Sequence, residues 1–149
     1  LSDEHQTARV VDGKIELTVA PPRPAGGGGA GTGAGKTRAR PEELAPNFYL
    51  DHDDERVQQV AKRAAGDETD SWKKAQKIER FVRTFLRNDN TAELVPVSKI
   101  VRDARGDCRH HAFLTTALLR ANGLPARTAI GLLYVHRGTP VFGFHMWSE

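Results

Sequence analysis

The sequence predicts an α+β domain in which a run of amphipathic helices precedes an antiparallel pair of strands. Three observations carry this. Between Asp53 and Asn122, apolar residues recur at spacings of three and four, the period of helices that bury one face. After Pro125 the pattern becomes β-rich, in Ala126 to Val135 and Val141 to Trp147, around a five-residue turn from His136 to Pro140. No helices alternate with these strands, so a parallel, doubly wound sheet is not expected.

The elements follow in order. Thr7 to Val11 and Lys14 to Val19 flank Asp12-Gly13, a two-residue hairpin signal, and residues 1–20 are expected to be a remnant hairpin of an upstream region. The chain starts at Leu1 with no charged-then-apolar leader, so this start is expected to be a cut. Residues 21–46 are rich in Pro, Gly and Ala and are expected to form a flexible linker. Within it, Ala30 to Thr37 resembles a loose P-loop, but prolines precede it where a buried strand belongs and a polar, broken segment follows. Nucleotide binding is therefore the weakest of the functional alternatives.

Residues 47–149 are expected to form the main domain. Asp53 or Asp54 caps a helix with Val57, Val60, Ala61 and Ala64 on one stripe, closed by Gly66. Asp70 caps a longer helix whose Trp72, Ala75, Ile78, Phe81, Val82, Phe85 and Leu86 form a core-facing stripe. Ser98 starts a short third helix with Ile100, Val101 and Ala104. Asp107 caps a fourth, from Cys108 to Asn122, whose apolar residues cover most of its circumference. That helix is expected to be central and buried.

Composition narrows the function classes. Charged residues make up 28% of the 149-residue chain, and its apolar runs fall far short of the ~20 residues of a membrane span. Net charge is +3. The basic residues Lys73, Lys74, Lys77, Arg80, Arg83 and Arg87 lack interleaved aromatics on their own face, so a solvated helix face is expected, not a nucleic-acid site. The single cysteine rules out a disulfide within the chain and a four-cysteine zinc site. A mixed zinc set of Cys108, His111, His136 and His145 is disfavoured because His136 and His145 lie nine residues apart rather than as a close pair. No metal and no cofactor is expected.

Cys108 is the chemical centre of interest. It occupies the first turn of the buried helix, where unpaired N–H groups and the positive end of the dipole favour a thiolate and could receive an oxyanion. Arg105 and Arg109 add positive charge, while Asp107 opposes them unless its carboxylate is engaged as the cap. A thiol nucleophile needs a base. His145 lies among Phe142, Phe144, Met146 and Trp147 and is either that base or a core histidine bonded to backbone. His111, three residues after Cys108 on the same helix, is the rival base, with less freedom to reach the line of attack.

Gly106-Asp107-Cys108, His111-Ala112 and Ala117 to Arg127 resemble the nucleophile segment of the transglutaminase-like superfamily, and His145-Met146-Trp147-Ser148-Glu149 resembles its H-x-W-x-E base segment. The likeness is specific from Gly106 to Glu149 and continues more weakly back to Asp53. His110 departs from it, since relatives often carry Glu there. The resemblance implies a papain-like core with the nucleophile helix packed on an antiparallel sheet. It implies Cys108 as nucleophile and His145 as general base and acid, acting on a peptide or glutamine-type amide through a thioester. Water as acceptor gives hydrolysis, as in a cysteine protease or amidase, and an amine gives acyl transfer. Many bacterial members are regarded as hydrolases or have no assigned activity. The family's third residue, an Asp that orients the histidine, lies beyond this motif. The domain is accordingly expected to be incomplete at its C-terminus, and this stretch alone to be a poor or inactive enzyme with a labelable cysteine. Glu149 is a poor stand-in, roughly 13 Å along the strand from His145. The alternative from another class is a protein-interaction module that keeps this fold without turnover.

Pairing Val135 with Val141 across the turn sets the strand register. His145 then faces Gly131, and Ala129, Gly131, Gly143 and His145 share one side, a hollow in which the Cys108 helix is expected to dock.

Overall fold

The computed structural model describes residues 6–19 and 39–149, which fall into two units, one within Leu1–Arg38 and one spanning Ala39–Glu149. The Gly run at 26–29 and the P-loop-like stretch at 30–37 lie outside the described residues. The first unit contains the expected hairpin. Strand β1 (Gln6–Val11) pairs antiparallel with β2 (Lys14–Val19), and Val11 is opposite Lys14. Asp12 and Gly13 both take positive φ, 50° and 72°, as a two-residue turn matched to the strand twist requires.

The second unit begins earlier than residue 47. Within the expected linker, the 39–46 segment is tied to the domain: Ala126 N–H donates to Glu43 O at 3.0 Å, and the buried Arg120 donates to Ala45 O and Ala126 O. A guanidinium from a distant helix supplies partners that the local composition does not reveal.

Helix α1 (Glu55–Ala65) is capped by Asp54, whose Oδ1 accepts from Arg56 and Val57 N–H. Helix α2 (Ser71–Phe85) is capped by Asp70 and buries Ile78 and Val82. Trp72, placed on the core stripe by its spacing, is instead 70% exposed, because it sits in the first turn before α2 meets its neighbours. Phe81 and Phe85 pack at the core margin with Arg63 over their rings, 5.1 and 5.8 Å from the centroids. A two-residue strand β3 (Arg87–Asn88) follows. Helix α3 (Val97–Asp103) starts one residue before the expected Ser98 and has no cap from its own flank. Asp51 Oδ1 accepts the Ser98 N–H at 3.0 Å, and Tyr49 O accepts that of Val97. Ala104 lies outside the helix in the left-handed region, at φ 49°.

Strand β4 (Arg105–Gly106) pairs in parallel with β3 and leads into α4 (Cys108–Ala121). Leu114, Ala117 and Leu118 of α4 are fully buried against Val57, Ala61, Ile78, Val82, Val97 and Ile100, so α4 is the central element, as expected. It closes at Asn122 and Gly123 (φ 73°), with Gly123 N–H on Arg120 O and Leu124 N–H on Leu119 O. Leu114→Ala is expected to cost about 3 kcal/mol, within the usual 2–5 for a large-to-small change in a close-packed core. Urea denaturation would measure it, and a loss below about 1 kcal/mol would mean that the site collapses to fill the space.

Strands β5 (Thr128–Arg137) and β6 (Thr139–Ser148) form the C-terminal antiparallel ribbon. Val135 pairs with Val141 and Gly131 with His145, the expected register. Pairing runs further than expected, however. The five-residue turn shrinks to Gly138 (φ 85°) between paired Arg137 and Thr139, because a glycine reverses the chain there without strain. Helix α4 also meets the ribbon on the opposite parity from the expected hollow. Thr116 Oγ1 bonds Ser148 Oγ at 2.9 Å and Thr128 Oγ1 at 3.2 Å, and Met146 packs on the core. The polar Thr–Ser–Thr contact satisfies hydroxyls that would otherwise be buried without partners, which an apolar pattern cannot anticipate. No helix among the described residues is long and apolar enough to cross a membrane.

Candidate active site

The first turn of α4 is built by its cap. Asp107 Oδ1 accepts the Arg109 N–H at 2.9 Å, and His110 Nδ1 lies 3.2 Å from the Asp107 N–H, so each end of the turn satisfies the other. This leaves Cys108 at the first helical position, partly exposed. Its own N–H meets no acceptor among the described residues, so it is free to receive a developing oxyanion.

The charges around the thiol are more committed than their number suggests. Arg109 grips the Asp107 carboxylate through Nε and Nη2, the latter at 2.7 Å, and reaches Ala92 O with Nη2 at 2.9 Å. Burial alone would raise the Asp107 carboxyl, but hydrogen bonds from Arg109, His110 and the Arg109 backbone hold it far below the usual carboxylate range. Its negative charge is therefore spent locally rather than set against a thiolate. Arg109 is in turn raised, first by its hydrogen bond to Asp107. Arg105, counted among the cations near the thiol, faces Asp89 instead, at 3.2 Å.

Asp107 also gives a pH prediction. A depressed folded-state carboxyl contributes stability that is complete above the unfolded value of about 3.9 and is lost as pH falls through the lower folded value. Asp107→Ala is expected to cost about 1 kcal/mol at pH 7, the usual loss of a helix cap, and progressively less below pH 4. Urea melts of both proteins at pH 7 and pH 3 test this; a deficit that grows on acidification would contradict it.

Across from the helix, β6 supplies the other wall. A cleft of about 460 Å³ is lined by Cys108, His111, Ala112 and Thr115 of α4 and by His145, Met146, Trp147 and Ser148 of β6. Four consecutive β6 residues of both parities reach it, so the cleft runs along the strand edge that faces away from β5. Cys108 and His145, 37 residues apart in the chain, thus share one cleft. His111 shares it too, and burial, followed by the neighbouring His110, pushes its pKa down. His136 does not line it, and among the described residues no three His, Cys, Asp or Glu side chains converge as a metal site.

The H-x-W-x-E residues act as a bracket. Glu149 accepts from Arg127 Nε and Nη2 at 2.9 and 2.7 Å and from Trp147 Nε1 at 3.1 Å, so it fixes the indole instead of reaching the imidazole. The indole stacks beside His145 with centroids 6.4 Å apart and planes at 22°. It also covers Gly131, where any side chain would collide with the ring edge. Sequence reasoning missed Glu79 and Arg83 of α2, which complete the cleft. Their i, i+4 spacing is visible, but only the fold brings them to Cys108.

The description of the Transglutaminase-like superfamily matches residues 58–149. The chain belongs to this superfamily. A solved structure from Cytophaga hutchinsonii, named a "Putative Cysteine Protease", superposes with a TM-score of 0.62 at 24% identity, over 72% of this chain and 36% of that one. That likeness establishes the α+β, papain-like fold, and the transglutaminase-like chain described here spans about a third of that protein's length. No curated protein matches the chain.

Proposed function

We propose that this domain attacks peptide or glutamine-type amides by covalent thiol catalysis, with Cys108 as nucleophile and His145 as general base and acid. The observation that carries this reading is the shared cleft: a partly exposed thiol at a helix N-terminus and a histidine on the strand that forms the facing wall. The Cys108 thiolate adds to the amide carbonyl carbon, and the oxyanion takes the free Cys108 N–H. The C–N bond breaks as the imidazolium of His145 passes its proton to the departing amine, leaving a thioester. Water or a second amine then adds to the thioester, giving its proton to His145. The C–S bond breaks, releasing acid or new amide and regenerating the thiolate.

Glu79 and Arg83 have no ion-pair partner among the described residues although they sit on adjacent turns of one helix. They are available to charged groups of a peptide substrate, which supports the peptide class over small neutral amides. The test is release of ammonia or amine from glutamine-containing peptides, with and without a primary amine acceptor. Absence of both reactions, with Cys108 equally inert to iodoacetamide, would favour a binding module that keeps the fold without turnover.

A further inference from the structure

His110 is the most buried polar side chain near the thiol, 1% exposed, and the mechanism above does not use it. Its ring joins three segments. Nε2 lies 2.8 Å from Glu93 O, Nδ1 lies 3.2 Å from Asp107 N and 3.0 Å from Asp107 Oδ1, and the ring covers Gly106 so closely that a Cβ there would overlap it. A carbonyl oxygen only accepts, so Nε2 carries the proton. Nδ1 accepts the Asp107 N–H when the ring is neutral, the role that Glu or Gln plays in a capping box, and donates to Asp107 Oδ1 when the ring is charged, so it holds Asp107 in either state. A carboxylate could complete that box but could not donate to Glu93. Imidazole does both.

The loop that His110 holds is tied to the same turn from other directions. Asp89 N–H donates to Gly106 O at 2.9 Å, and Arg109 reaches Ala92 O. Behind the turn, a separate cavity of about 240 Å³ is lined by His110 together with Asp89, Thr91, Glu93, Lys99 and Arg105. The hydrogen bonds of one imidazole therefore fix how the chain enters α4, and with it where the first helical residue points.

We propose that His110 is a positioning residue for Cys108, holding the Gly106–Asp107 turn and the 89–96 loop together so that the thiol opens the helix facing the cleft. The proposal deepens the thiol-catalysis reading and rests on it for its effect on turnover. Its effect on thiol labelling does not depend on that reading.

The test compares His110→Leu, which removes both hydrogen bonds, with His110→Gln, which can accept from Asp107 N–H and donate to Glu93 O. Iodoacetamide labelling at pH 7 reads the thiol directly, with Cys108→Ala as the blank. Displacing a reacting group by about 1 Å can cost on the order of 100-fold, so His110→Leu is expected to slow labelling about tenfold or more and to lower kcat with KM unchanged. His110→Gln should return both to within about threefold, the rescue that a bulk packing role would not give. Where the leucine variant does not melt cooperatively, His110→Asn replaces it, being too short to span both partners. A folded leucine or asparagine variant that labels at the wild-type rate would overturn the proposal, as would a folded glutamine variant as slow as the leucine one. Loss of labelling without any measurable turnover in the wild type would uphold His110 and count against the catalytic reading alone.

Discussion

Cys108→Ala is expected to lower amide turnover by about 10⁴-fold or more in a chain long enough to carry the orienting third residue, the scale seen when the nucleophile of a covalent hydrolase is removed. The fold should barely respond. Cys108 is partly exposed at the first helical position, outside the Leu114–Leu118 core, and alanine is a better helix former than cysteine. The cap is untouched, because Asp107 caps through the backbone N–H and guanidinium of Arg109. A thermal melt within about 2 °C of wild type would show that lost activity is chemical, since 1 kcal/mol shifts Tm by several degrees in a domain of this size. Ammonia release from a glutamine peptide is the measurement. An alanine variant within about tenfold of a measurably active wild type would exclude a thioester route, because no thioester can form without the thiol.

What the sequence made legible follows from how local each signal is. Asp54, Asp70 and Asp107 cap the helices that begin one residue later, because a cap needs only the next three N–H groups. The Gly131–His145 pairing followed from one assumption about the turn, since every later pair in a ribbon is fixed by the first. The turn length itself was misjudged without harm, because shortening it symmetrically to Gly138 keeps the register. The failures that bear on the site and its frame are non-local. The cap of α3 comes from Asp51, the 39–46 segment is held by Arg120, and α4 docks through Thr116 to residues of the opposite parity. The site divides in the same way. Cys108 and His145 were visible as residue types in context, whereas Glu79, Arg83 and the cation–carboxylate bookkeeping around Asp107 depend on where α2 and the 89–96 loop come to lie.

His145→Ala is expected to reduce kcat by about 10²–10⁴-fold, the usual contribution of a positioned acid–base group, and His111→Ala by less than about tenfold. Both rings line the cleft, so proximity does not choose between them. Their attachments do. His111 stands three residues from Cys108 on one rigid helix, so its ring lies beside the thiol rather than across the cleft where a leaving amine must be protonated. Burial and His110 hold His111 toward its neutral form, which weakens it as the acid that returns the proton. His145 is carried by β6 on the other wall, with its ring flanked by the indole that Glu149 and Arg127 fix. A base held from the opposite wall can take a proton from the thiol and face the incoming acceptor in turn. Added imidazole should partly restore His145→Ala, because the vacated ring opens into a cleft of about 460 Å³. It should do nothing for His111→Ala, whose ring is half-buried on the helix. Steady-state kinetics of both variants, with and without imidazole, decide the assignment. A larger loss in the His111 variant, or imidazole rescue of that variant alone, would transfer the role of base to the helix and leave His145 as a wall of the cleft.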